Sequence, residues 1–194
     1  AIGYLPDHYE KSSTYWRENS ADWNISRQSV WGIPIPAKIC TKCDAGYADV
    51  ADALKACAKC GGELRKDTDT FDTWFSSGQW PYVSLGYPNG ADYKTFYPTD
   101  VMETAGDIIF FWVARMIMFS LYRTGKLPFH TVYLHGLVLD GKGQKMSKSK
   151  GNVINPIDYV TKFGTDAFRM ALIVGNTPGS SLALSEDKVR AYKN

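Results

Sequence analysis

Apolar positions are densest in the second half of the chain. From Asp107 to Tyr122 they fall on nearly every side of a helical projection, which predicts a helix covered by protein on both faces. Gly125 supplies a stop for it. Thr131 to Leu139 is mostly apolar, the pattern of a strand in a parallel sheet. Pro156 to Phe163 and Thr165 to Val174 read as two helices divided by Gly164, the second capped by Thr165. A polar, small-residue connector, Asn176 to Leu184, leads to a helix opened by Ser185-Glu186-Asp187. That helix ends at Asn194 with nothing left to pack against, as a truncated element would.

The first half is less regular. Asp7 and Glu10 have the spacing of a capping box for a helix running to about Asn19. Asp22 to Ile39 holds Trp-Gly and two Ile-Pro pairs and should be extended or looping. Thr68 to Asp100 is rich in aromatics, Gly and Pro with poor periodicity, so loops and short strands are expected. Helices around a parallel strand make the fold class α/β, half of a doubly wound sheet. The expected divisions are 1–39, a small insertion at 40–66, the main α/β segment at 67–175, and a connector with the start of a helical domain at 176–194.

Composition narrows the function. A chain of 194 residues with 44% apolar and 22% charged positions reads as a soluble globular protein with a real core. The net charge of +2 does not argue for nucleic acid, so any polyanion site must be a local patch. Ala1 to Glu10 lacks the basic start and apolar run of a secretory signal, and the apolar run at 108–119 is interrupted by Arg115 and too short for a bilayer. A cytoplasmic location fits these features and reduced cysteines.

The four cysteines form two Cys-x-x-Cys pairs, Cys40/Cys43 and Cys57/Cys60, separated by thirteen residues. Each pair can offer two thiolates from one tight turn, the spacing of a four-cysteine structural Zn²⁺ site. Such a site closes the coordination sphere and stabilises a subdomain. It could also touch RNA through Lys38, Lys42, Lys55 and Lys59, which leaves a non-catalytic zinc-ribbon RNA-binding module as a reading from another class.

The local basic patch is the run Gly143-Gln144-Lys145-Met146-Ser147-Lys148-Ser149-Lys150-Gly151-Asn152 behind the Thr131–Val138 strand. Lysine ammoniums and backbone N–H groups on a glycine-flanked loop can hold a triphosphate. Lys-Met-Ser-Lys-Ser after a strand resembles the second signature of the class I aminoacyl-tRNA synthetases. Asp22-Trp23-Asn24-Ile25-Ser26-Arg27-Gln28 with Trp31-Gly32 resembles the segment after the editing insertion in members for branched aliphatic amino acids. Phe71-Asp72-Thr73-Trp74-Phe75-Ser76-Ser77-Gly78, Tyr97-Pro98-Thr99-Asp100, the run from Gly106 to Met116 and Leu134-His135-Gly136-Leu137-Val138 are most similar to the valine-specific members. Three features depart from the pattern: Ala105 in Thr104-Ala105-Gly106-Asp107, Asn24 where Cys is usual, and Ile33-Pro34-Ile35-Pro36, which is closer to the isoleucine or leucine members.

The resemblance implies the second half of a Rossmann-like catalytic fold with a zinc insertion. The implied activity is ATP-dependent activation of valine and its transfer to tRNA(Val), with isoleucine or leucine specificity as the alternative. Lys145 and Lys148 are implied as catalytic, stabilising charge on the triphosphate with Mg²⁺, and Lys148 as the more direct contact. ATP binding would extend to Asp107, His135, Gly136, Leu137, Met146, Ser147 and Ser149. Asp107 can instead be read as a helix cap, and His135 as a satisfied histidine on a core strand. Trp74 and Ile108 are implied for the amino-acid pocket. The first signature, His-x-Gly-His, is absent, since the histidines are His8, His130 and His135. The free chain is therefore expected to be inactive.

Overall fold

The computed structural model describes residues 1–193. Strand β1 (Gly3–Leu5) leads into α1 (Tyr9–Glu18). After β2 (Ser26–Arg27) come β3 (Ala37–Cys40), β4 (Gly46–Ala48) and β5 (Leu64–Lys66), which form an antiparallel sheet in the order β4-β3-β5. The return strand β6 (Thr70–Phe71) pairs with β2. Short helices α2 (Thr73–Ser77), α3 (Trp80–Val83) and α4 (Ala91–Phe96) precede β7 (Thr99–Ala105). A 3-10 turn (Gly106–Ile108) and a π-helical turn (Ile109–Ala114) then feed α5 (Arg115–Thr124).

Strand β8 (Phe129–His135) lies between β1 and β7, parallel to both. Its Val132 and Leu134 are fully buried and pack with Tyr4, Ile109, Val113, Met116 and Ile117. This is the parallel sheet with helices that the apolar pattern predicts, although the strand expected over 131–139 ends at His135 and Val138–Leu139 forms a separate strand in another sheet. Register aligns Ala105 with His135 and Leu5 with Tyr133, so the carboxyl ends of all three strands open on one edge. Ligands of open α/β sheets bind at that edge.

A second core lies downstream. β9 (Val138–Leu139) pairs in parallel with β10 (Leu182–Ala183). Helices α6 (Pro156–Phe163), α7 (Thr165–Ile173) and α8 (Glu186–Ala191) bury Phe163, Phe168, Ala171, Leu184 and Val189 together. Asn155 caps α6 by accepting from Ile157 N, with Pro156 in the first turn where its missing N–H costs nothing. Ser185 caps α8 by accepting from Lys188 N.

Several expectations change. Asp7 does not cap α1: His8 holds the cap position without a side-chain bond, and the Pro6 and Asp7 carbonyls accept from Tyr9 and Glu10 instead. Thr165 does not cap α7, because Gly164 takes the cap at φ 95° and Thr165 is already inside the helix. The final helix does find a partner, with Val189 fully buried against α6 and α7. The region 68–100 keeps the expected turns, the short strand β6 and the start of β7, but also holds three short helices, helped by the Asp72 carboxylate accepting from Trp74 N and by Pro81 in the first turn of α3. The 107–122 helix is covered on one face only, for Met118, Leu121 and Tyr122 on α5 are exposed. Gly125 does end it, at φ 70°.

Candidate functional site

The turn after β7 and the loop after β9 meet at the sheet edge. Asp107 makes no bond to its own helix, which removes the capping role. Its carboxylate instead sits 3.1 Å from Lys145 Nζ. Lys145 is placed by a β-bridge to Leu139. Met146 is half-buried, its sulfur accepting from Ile154 N at 3.4 Å. Ser147 caps a 3-10 turn, Lys148–Lys150, by accepting from Lys150 N, and its hydroxyl lies 3.2 Å from that of Ser149. Gly151 ends that turn in the left-handed region, φ 65°, which a side chain would strain. Lys148, Ser149 and Lys150 are exposed. The loop thus presents cations and hydroxyls to solvent at the strand ends.

His135 closes β8, half-exposed, with Nδ1 2.8 Å from Gly136 O and Nε2 3.4 Å from Glu103. It lies at the rim and not in the core. Both peptide groups of Leu137 are engaged by the connector: its N–H reaches Ser181 Oγ at 3.2 Å and its carbonyl accepts from Leu182 N at 2.9 Å. Gly136 is needed here, since a Cβ would fall 1.8 Å from Ser180 O.

Trp74 stacks on Phe111 with centroids 5.6 Å apart. Ile108 is half-buried at the end of the 3-10 turn, three residues before Phe111. Trp74 is anchored through Asp72, whose carboxylate also takes Trp23 Nε1 at 3.2 Å and pairs with Arg27. Arg115 is buried with its guanidinium 3.7 Å above Trp23. Sequence reasoning had no role for Asp72, Trp23 or Arg115, and their association emerges only in three dimensions. Asp140 and Asn152, which bracket the lysine loop, were also missed, although Asp140-Gly141 is a turn dipeptide.

The four cysteine sulfurs lie within 4.8 Å of one another, with separations of 3.5 Å (Cys40–Cys60), 3.6 Å (Cys43–Cys57) and 3.5 Å (Cys43–Cys60). A tetrahedron with Zn–S bonds of about 2.3 Å has edges of about 3.8 Å, so the donor set fits Zn²⁺. A Cβ at Gly62 would stand 3.2 Å from both Cys40 and Cys60 sulfurs, which explains glycine at that turn. The Tyr47 hydroxyl, 3.1 Å from Cys57 Sγ, holds that thiol down to about 6. Behind the cluster, buried Lys38 bridges Asp49 at 2.9 Å and Asp52 at 2.7 Å and donates to Leu54 O, pinning the spacer between the cysteine pairs. Lys38 is therefore structural and not free for RNA.

Comparison with known proteins places this geometry in a family. Residues 1–185 match the family model "tRNA synthetases class I (I, L, M and V)". The valine–tRNA ligase of Symbiobacterium thermophilum is 48% identical over 100% of this chain and 21% of that protein. That of Dehalococcoides mccartyi strain CBDB1 is 50% identical over 100% of this chain and 22% of that protein. The chain thus spans about a fifth of the length of these curated relatives. Among solved structures, the Agrobacterium radiobacter K84 AgnB2 LeuRS, in its ternary complex with tRNA and LeuAMS, superposes with TM-score 0.71 at 26% identity, over 89% of this chain and 26% of that one. Mycobacterium tuberculosis methionyl-tRNA synthetase with methionyl-adenylate shares the fold, with TM-score 0.69 at 20% identity, over 97% of this chain and 32% of that one. The chain belongs to the class I tRNA synthetase family, and its relatives at about half identity are valine–tRNA ligases.

Proposed function

We infer that this chain is the part of a valine–tRNA ligase that grips the triphosphate of ATP during activation of valine, before transfer of the acyl group to tRNA(Val). The observation that carries this reading is the placement of Lys145 and Lys148 on a loop at the carboxyl edge of β7 and β8, beside Asp107. Attack of the valine carboxylate on the α-phosphorus expels pyrophosphate, and catalysis there is mainly positioning and charge stabilisation. Lys148 meets the developing negative charge, and Lys145 joins it by exchanging Asp107 for phosphate. Ser147 and Ser149 donate to phosphate oxygens, and Mg²⁺ carried with ATP shares the charge. Met146 seats the loop. Asp107 binds the ribose, and adenine lies against His135, Gly136 and Leu137. Trp74 and Ile108 line the valine side chain.

The insertion at 40–66 binds Zn²⁺ structurally through Cys40, Cys43, Cys57 and Cys60. The four cysteines are free thiols, which agrees with a cytoplasmic setting for the enzyme, and no helix among the described residues is long and apolar enough to cross a membrane. The chain alone lacks a His-x-Gly-His signature and is expected to be inactive in adenylate formation. Calorimetry with Mg²⁺ and ATP tests the triphosphate site. Affinity falling at least about tenfold in Lys148→Ala supports it, and equal binding by both forms removes the loop from the site.

A further inference from the structure

The lysine loop is tied at both ends by one pair of side chains. Asp140 closes the turn leaving β9: its Oδ1 accepts the N–H groups of Lys142 at 2.9 Å and Gln144 at 2.8 Å. Its Oδ2 accepts from Asn152 Nδ2 at 2.9 Å. Asn152 Oδ1 in turn accepts the Ser147 N–H at 2.9 Å, while its Nδ2 also reaches Lys145 O at 3.3 Å. One amide therefore holds the peptide groups on either side of Met146, the backbone between the two lysines. The Gln144 N–H, with the Asn152 amide next, keeps the Asp140 carboxyl below its usual range. Neither side chain is exposed to the degree the lysines are.

We propose that Asp140 and Asn152 are positioning residues that fix the backbone from which Lys145 and Lys148 reach the triphosphate, without touching nucleotide themselves. The proposal rests on the triphosphate reading of the loop. The chemistry is specific: an acceptor-only carboxylate takes three donors, and an amide must both donate and accept. In Asp140→Asn two NH₂ groups face each other, and in Asn152→Asp two carboxylates do. The reciprocal double variant, Asp140→Asn with Asn152→Asp, restores complementarity. The amide at 140 then donates to the carboxylate at 152, its oxygen still accepts the Lys142 and Gln144 N–H groups, and the carboxylate still accepts from Ser147 N. The 3.3 Å bond to Lys145 O alone is not restored, because a carboxylate oxygen then faces that carbonyl.

The test combines amide hydrogen exchange at Gln144 and Ser147 with Mg²⁺–ATP calorimetry on the chain, its two single variants and the reciprocal double. Each single variant should speed exchange at both amides and weaken ATP binding, each by about tenfold. The double should return both readouts to within about threefold of the original. Lys148→Ala should weaken ATP binding and leave the exchange rates alone, separating contact from positioning. Unchanged exchange in the single variants, or a double no better than the worse single, overturns the proposal. If the unsubstituted chain binds no ATP, the nucleotide reading fails with its positioning role, and the exchange rates alone decide whether the pair holds the loop.

Discussion

The Lys145 ammonium lies 3.1 Å from the Asp107 carboxylate, joining the lysine loop to the turn after β7. Both side chains are largely solvated, at 64% and 46% exposure, so the pair adds little to stability and is readily exchanged for a stronger anion. Asp107→Asn should shift the thermal midpoint by less than about 3 °C. The same variant should weaken Mg²⁺–ATP binding about tenfold, through loss of the proposed ribose contact. An unchanged affinity would remove Asp107 from the nucleotide site, and a collapsed midpoint would make it a structural residue.

Metal removal should be local. The sulfur cluster ties Cys40 at the end of β3 to the turns at Cys43 and Cys57–Cys60, whereas the β1-β8-β7 sheet is closed by its own apolar core. The chain purified with metal should contain about one Zn²⁺. Chelation, or Cys40→Ser, should release amide protection at Thr41, Cys57 and Gly61 while that of Val132 and Leu134 persists. Loss of protection in both regions together would show that the insertion and the main sheet unfold as one unit.

Legibility in the sequence followed the range of the interactions. β8 was readable because Val132 and Leu134 announce a buried strand locally, and Gly125 and Ser185 mark helix ends by their own chemistry. The cysteine cluster was readable because each cysteine pair is a single turn. α2 was not, because its cap Asp72 is held by Trp23 and Arg27, which are 49 and 45 residues away. The lysine loop was recognisable as a string, yet its tie to Asp107 spans 38 residues and needed the sheet register. The open face of α5 was missed because periodicity reports which positions are apolar, not which of them the chain covers. Asp7 and Thr165 show the limit of cap motifs: the first lost to a Pro6-led turn, the second to a glycine one position earlier.

The carboxylates around Lys38 predict an acid-sensitive insertion. Hydrogen bonds from Lys38 and then Lys66 hold the Asp52 carboxyl down at about 2, and Lys38 lowers Asp49 as well. A carboxyl depressed in the folded state contributes stability that is complete above its ordinary value near 3.8 and is lost as pH falls through about 2. Titration of the Asp52 side-chain carbon by NMR should give a midpoint near 2, moving up toward 3.8 in Lys38→Met. A midpoint already near 3.8 in the unsubstituted chain would mean the ion pairs are not maintained in solution.

Gly136 joins the two cores, and its substitution should be costly. A Cβ there would lie 1.8 Å from Ser180 O and 2.6 Å from Ser181 N, both backbone atoms that cannot rotate away. Relief requires moving the connector off β8, which breaks the bonds from Gly179 N to Leu134 O at 2.7 Å and from Leu182 N to Leu137 O at 2.9 Å. The parallel pairing of β9 with β10 would follow, loosening the seat of the lysine loop. Gly136→Ala should therefore lower the thermal midpoint by more than about 5 °C. Gly3→Ala is the control, because its Cβ meets nothing closer than 3.9 Å, and its midpoint should stay within about 2 °C. Equal midpoints for the two variants would show that the connector does not lie against β8 in solution.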